Sequence, residues 1–272
     1  HYIDLFGPQS AFWQRAGHDA LAEVQPQLLQ YLDYFARKHY AAALAQPPAT
    51  ATASFNTAAG LWQDMLTILQ QPPLQQAGAA GYAVDDIRYL LAESYAGAAL
   101  PEQALALYTE LGYGPQLTDA SLFTAQDAAY KALLLSAELA GLTERNALRL
   151  WQQQSDFVAT HSRHPAAQQV ALQQLQQRYS EQDYYAVLAH SSSVTQWPHA
   201  AQSQAELVRE AQFLHSQSEL ALQHYAAAEQ SITLLLAQPL DTTRRSLLTE
   251  QLASSIYQQA QQADASMDQV QQ

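Results

Sequence analysis

Histidines and scattered carboxylates are the side chains through which this sequence could handle protons or metals. His161-x-x-His164 has the i, i+3 spacing that puts two imidazoles on one helical face, the start of a metal site. The run Ser162-Arg163 and Pro165 make this stretch a helix end, and no carboxylate or thiol stands beside it at ligand spacing. His215 and His224 lie too far apart to ligate jointly from one helix. Asp85/Asp86 and Glu93/Glu110 are carboxylate pairs of the kind used in acid–base work, yet at a helix start or on a solvated face they serve capping and solubility. No H-E-x-x-H, G-x-S-x-G or phosphate-cradling glycine loop occurs, and the chain has no cysteine for thiol chemistry or disulfides. The reading is of a chain without catalytic residues, cofactor or metal.

What the spacing does specify is packing. Leu91-Ala92-x-x-Tyr95, then Ala104-x-x-x-Tyr108, then Pro115 is the pattern by which two antiparallel helices nest. A small Ala104 admits a neighbouring helix, Tyr95 and Tyr108 fill the seam, and Gly112, Gly114 and Pro115 stop the second helix. The small-then-large pair recurs as Ala58/Trp62, Ala104/Tyr108, Ala147/Trp151, Ala186/His190 and Ala228/Ile232, at intervals of 46, 43, 39 and 42 residues. These units are longer than the roughly 34 residues of an ordinary tetratricopeptide unit. A sixth start is visible at Leu252-Ala253-x-x-Ile256, and the same count places its partner at Ala265, so the last repeat is incomplete.

Composition agrees. Of 272 residues, 48% are apolar and only 14% charged, enough for a sizeable core. Forty glutamines supply a solvated helical face without a high charge count. The net charge of −13, with Lys38 and Lys131 the only lysines, argues against nucleic acid as a partner. No stretch approaches the roughly 20 apolar residues of a membrane span, and His1-Tyr2-Ile3-Asp4 does not begin a secretion signal, so any such signal is expected to have been removed already.

Along the chain, helices are expected around residues 11–25 and 26–45, with Leu28, Leu29, Leu32, Tyr34, Phe35 and Tyr40 on a broad apolar face. Pro47-Pro48 breaks the pattern, and Ser54 or Asn56 is placed to cap a helix running through Trp62 to Leu69. A second break runs from Gln71 through Pro72-Pro73 to Gly81, after which Asp85-Asp86 open a helix favoured by its dipole. Turns follow at Gly112–Pro115, Gly141–Thr143, His164-Pro165, Ser180–Asp183, Trp197-Pro198 and Gln238-Pro239. The organisation expected is an N-terminal helical cap over 1–80 and helical repeats over 81–272. Tyr185 and Trp197, aromatic residues beside turns, are candidates for contact with a partner.

His164-Pro165-Ala166-Ala167, Asp183-Tyr184-Tyr185-Ala186, Tyr225-Ala226-Ala227-Ala228-Glu229 and Leu248-x-Glu250-Gln251-Leu252-Ala253-Ser254-Ser255-Ile256-Tyr257 resemble segments of tetratricopeptide-like proteins, in particular the long repeats of proteobacterial cell-envelope proteins. The likeness covers Asp85 to Ala265 and departs from the pattern at Arg88, Glu138 and His190. It implies an all-α, right-handed α-solenoid of stacked antiparallel helix pairs, and a non-catalytic scaffold that binds other proteins in a periplasmic or extracellular assembly. The first helices of each pair would line the concave face, nominating Arg88, Glu93 and Lys131 as groove residues. Two alternatives stand beside it: a structural protein that stacks end to end with its own copies into a filament, and the helical non-catalytic region of a larger envelope enzyme.

Overall fold

The computed structural model describes residues 1–70, 82–115, 123–195 and 202–270, with side chains except at 18, 192–195, 202–204 and 263–270. The breaks expected at 71–81 and at Trp197-Pro198 lie outside the described residues, as does the side chain of Ala265. Every described element is a helix: α1 Tyr2–Phe6, α2 Ala11–Arg15, α3 His18–Leu44, α4 Pro48–Leu69, α5 Val84–Gly97, α6 Pro101–Tyr113, α7 Ala125–Ala140, α8 Glu144–Thr160, α9 Ala167–Ser180, α10 Tyr184–Thr195, α11 Gln202–Ala221, α12 Tyr225–Leu236 and α13 Thr242–Val270. The all-α expectation holds. The chain forms two compact units, His1–Gln153 and Gln154–Gln272.

In the first unit α3 to α7 each pack on the next helix in sequence. Leu28, Leu29 and Leu32 of α3, Trp62, Met65 and Ile68 of α4, and Ile87 and Leu91 of α5 form one buried cluster, so a single core crosses position 80. Ala92, Ala104, Tyr108, Ala128 and Ala132 build the next one between α5, α6 and α7. Two glycines matter here through what they leave empty. A Cβ on Gly112 would stand 2.7 Å from the Ala129 backbone, so this residue, expected to be a stop, sits inside α6 as the close approach of α6 to α7; one on Gly97 would enter the Phe55 ring.

Helix starts follow local chemistry. Thr124 and Asp127 cap α7 reciprocally, the Asp127 N–H donating to Thr124 Oγ1 (3.2 Å) and the Thr124 N–H to Asp127 Oδ2 (3.1 Å). Pro48 and Pro101 occupy the first turns of α4 and α6, where no N–H is required. Ser54 and Asn56 are therefore interior to α4, and the cap expected from them is replaced by a proline start. The division expected between residues 25 and 26 is likewise absent, because α3 runs straight through Pro26. Its loss of one backbone hydrogen bond is outweighed by the buried leucines that follow directly. On that helix Tyr34 and Phe35, expected in the apolar core face, are exposed, at 60% and 37%.

In the second unit α9 packs on α10 and α11, and α10 to α13 each pack on the next. Leu172, Leu175, Val187, Ala211 and Leu214 form one core, and Ala228, Ile232, Leu235 and Leu248 another.

Three turns share one design. After α5, α9 and α11 a non-glycine residue takes the left-handed conformation, Ala99 (φ 59°), Gln182 (φ 61°) and Gln223 (φ 61°). The next N–H reaches back five residues: Leu100 donates to Tyr95 C=O, Asp183 to Arg178 C=O and His224 to Glu219 C=O, each at 2.9 Å. These turns sit 83 and 41 residues apart, in step with a repeat of about 41. The fourth place in that series is occupied by Gly141, which keeps φ −71°.

Burial fixes the repeat register. Ala58, Trp62, Leu91, Ala104, Tyr108, Ala228 and Ile232 are buried as their spacing predicts, and Tyr95 is half-buried. Ala147 is exposed and Trp151 half-buried, the sealed positions of α8 being Asn146, Gln153 and Phe157. On α10 the sealed pair is Val187 and Ser191, one residue after Ala186 and His190. Leu252 is half-buried and Ala253 exposed.

Candidate functional site

Two carboxylates organise the polar chemistry, one in each unit. Glu93 lies on α5 directly after the buried Ala92. Its Oε1 accepts from the Tyr108 hydroxyl of α6 (2.6 Å) and pairs with Lys131 Nζ of α7 (2.9 Å), and its Oε2 lies 3.5 Å from the Tyr40 hydroxyl of α3. One side chain thus joins four helices. Burial, then the Glu93 charge, then the hydrogen bond push the Tyr40 phenol up to about 12. Burial, with the same carboxylate second, raises Tyr108 far above the ordinary phenol value, and Tyr89 is raised likewise. The Tyr40 and Tyr108 phenols stay protonated and donate to Glu93, whose carboxylate is engaged by them and by Lys131.

The nominated groove residues divide accordingly. Glu93 and Lys131 form an ion pair, whereas Arg88 turns to Glu110 (3.4 Å) and Asp85 (3.8 Å). The Glu93/Glu110 pair weighed for acid–base work is therefore split between different cations.

Glu219, on α11 and 7% exposed, is the second node. Its Oε2 lies 2.9 Å from His224 Nδ1, its Oε1 lies 3.6 Å from His215 Nε2, and His215 Nδ1 lies 2.7 Å from Ser191 Oγ on α10. The left-handed turn at Gln223 brings His224 back over the end of α11. This is why two histidines too distant on one helix meet at one carboxylate. Ser, His and Glu in this order match an acyl-transfer triad in type. Ser191, however, is fully buried and closed to a substrate. Burial holds His215 below its ordinary value, partly offset by the Glu219 charge.

The remaining candidates take plainer places. Tyr185 is 67% exposed and turns its ring edge toward His224, with centroids 6.3 Å apart. Trp197 lies outside the described residues. His161 and His164 wrap the end of α8, their rings 5.8 and 5.1 Å from Phe157, and the Ala166 N–H donates to His164 Nδ1 (3.1 Å). Among the described residues no group of three or more His, Cys, Asp or Glu is placed to hold a metal ion, and no helix is long and apolar enough to cross a membrane.

Two surface features were missed by sequence reasoning. A polar cleft of about 290 Å³ is lined by Glu206, Arg209, Glu210, Leu240, Asp241 and Arg244. Its guanidiniums are engaged, Arg209 donating to Pro239 C=O (2.8 Å) and Arg244 pairing with Glu210 (2.9 Å) while lying over Phe213. The other feature is the exposed stripe Tyr31, Tyr34 and Phe35 on α3, in which Tyr34 and Phe35 were read as core and Tyr31 was not singled out.

No protein-family model, curated protein or solved structure matches this chain.

Proposed function

We propose that this chain is a non-catalytic helical-repeat scaffold, a tetratricopeptide-like solenoid of antiparallel pairs, that binds other proteins in a bacterial cell-envelope assembly. The observation that carries the reading is the recurrence of one turn geometry at Ala99, Gln182 and Gln223 in step with a repeat of about 41 residues. Polar contacts that skip one helix support the same layering. Tyr40–Glu93 and Glu93–Lys131 join α3, α5 and α7; Glu102–Arg149 (2.6 Å) joins α6 and α8; Gln217–Gln251 (2.9 Å) joins α11 and α13. The envelope location rests on the resemblance of the C-terminal segments.

Capture from envelope extracts with the purified chain, beside Lys131→Glu and a Tyr34→Ser/Phe35→Ser double variant, tests this. The expected result is a partner whose retention falls about tenfold or more in one variant. Partners indifferent to both surfaces overturn the assignment of these faces. Assembly with copies of itself is the second reading, supported by Leu247, Ile256 and Tyr257 exposed on α13 and by the aromatic stripe on α3. Sedimentation velocity over a concentration series separates the two: regular polymers select self-assembly, and a constant monomer removes it.

A further inference from the structure

We infer that two copies of this chain pair through the exposed face of α3, antiparallel about a two-fold axis between Gln30 and Tyr31, with Glu23 of each copy set against Lys38 of the other. The pairing rests on the reading that copies of this chain associate, and it replaces an open polymer with a closed pair. The scaffold reading stands apart from it.

α3 is a helix of 27 residues whose buried side carries Leu28, Leu29, Leu32 and Ala36. Away from that side, Glu23, Gln27, Tyr31, Tyr34 and Lys38 recur at steps of three or four residues, the spacing that aligns side chains along one helical face, and Phe35 borders them. All six are exposed. Neighbouring aromatic rings left in water on a helix mark a contact surface. The Tyr34 and Phe35 rings meet edge to face with centroids 5.1 Å apart, and Tyr31 meets Tyr2 in the same way at 5.3 Å. The rings are thus partly ordered already, which lowers the entropy lost when a partner covers them.

The charges at the two ends of the face say what covers it. Glu23 stands at one end and Lys38 at the other, fifteen residues or about 22 Å apart along the helix. Neither has an ion-pair partner among the described residues, whereas the adjacent Arg37 is engaged by Asp33 at 2.8 Å. When a second copy is laid end for end on the first, Glu23 meets Lys38, Gln27 meets Tyr34 and Gln30 meets Tyr31, each contact made twice by symmetry. A parallel pair would set Glu23 on Glu23 and Lys38 on Lys38, so charge selects the antiparallel register. The face carries its own complement, which singles out a second copy as its occupant. A single helix pair lies at the small end of specific interfaces, about 1,200 Å² in total, so micromolar association is expected.

Sedimentation velocity of the full chain from about 1 to 500 µM at low ionic strength reads the pairing. The mass is expected to rise from one chain to two and stop there. Lys38→Glu and Glu23→Lys each put like charges at both ends of the interface, and each should weaken pairing about tenfold. Both side chains are exposed, so neither change disturbs the core. Mixed in equal amounts, the two variants should associate again, because every glutamate of one then meets a lysine of the other. A chain that stays monomeric throughout removes the self-association reading and this interface with it. Growth beyond two chains, a dimer indifferent to both charge reversals, or a mixture that fails to associate keeps self-association in place and overturns the α3 pairing.

Discussion

Glu93 and Glu219 solve one problem with different partners. Each is a carboxylate drawn into a helix seam, and each gathers side chains from neighbouring helices so that its charge is not stranded. Glu93 is met by the Lys131 ammonium and by two phenols, both raised above their ordinary value chiefly by burial. Glu219 is met by two imidazoles, one of which, His215, burial holds below its ordinary value. Burial raises the phenols of the first seam and lowers His215 in the second, so the same desolvation acts with opposite sign on the two sets of partners.

Removing the carboxylates separates them most strongly. Glu93→Ala leaves the Tyr108 hydroxyl, in a residue only 2% exposed, without an acceptor, at an expected cost of about 2–3 kcal/mol. Glu219→Ala exposes less unmet polarity, because the His215 and His224 side chains are 30% and 45% exposed and water can reach them. Its expected cost is about 1–2 kcal/mol. Urea unfolding monitored separately for each unit checks the order; equal losses would mean that partner burial does not set the cost.

Alkali should act on the first unit through its raised phenols. A phenol raised in the fold contributes stability that is present below the unfolded value of 10.0 and lost as pH climbs through the folded one. The first unit, with Tyr40 pushed up to about 12 and Tyr108 and Tyr89 raised, should lose protection between pH 10 and 12. The share of half-buried Tyr40 is about 1 kcal/mol after discounting for solvent. Tyr40→Phe should flatten that decline in hydrogen exchange, and an unchanged slope would locate the alkaline response elsewhere.

How much of this was legible follows from the distance over which each feature is specified. Helical identity, the turn after Ser180, and the seam residues Ala104, Tyr108, Ala228 and Ile232 depend on neighbours within two helical turns, and spacing alone shows them. Register on α8 and α10 was read one residue off, because an alanine pattern cannot distinguish a helix rotated by 100°, whereas Asn146 and Ser191 are buried only through bonds to other elements. Pro26 read as a boundary because local propensity ends a helix there, and the leucine cluster beyond it overrides that preference. Glu93 was nominated from family geometry and did find Lys131. Its phenol partners, and the meeting of His215 with His224, depend on tertiary placement and on one left-handed turn that a glutamine does not advertise.

That turn gives a finer test of the comparison. Ala99 precedes the seam that holds Tyr108, and Gln223 carries His224 to Glu219. Neither is glycine, so each holds positive φ against the clash of its own Cβ. Replacing either with glycine removes that clash but adds freedom to the unfolded chain, and the expected net gain is about 0.5–1 kcal/mol at each site. Thermal unfolding should show similar gains if the two turns serve only to reverse the chain. A smaller gain for Gln223→Gly than for Ala99→Gly would show that the rigid glutamine turn also positions His224 against Glu219.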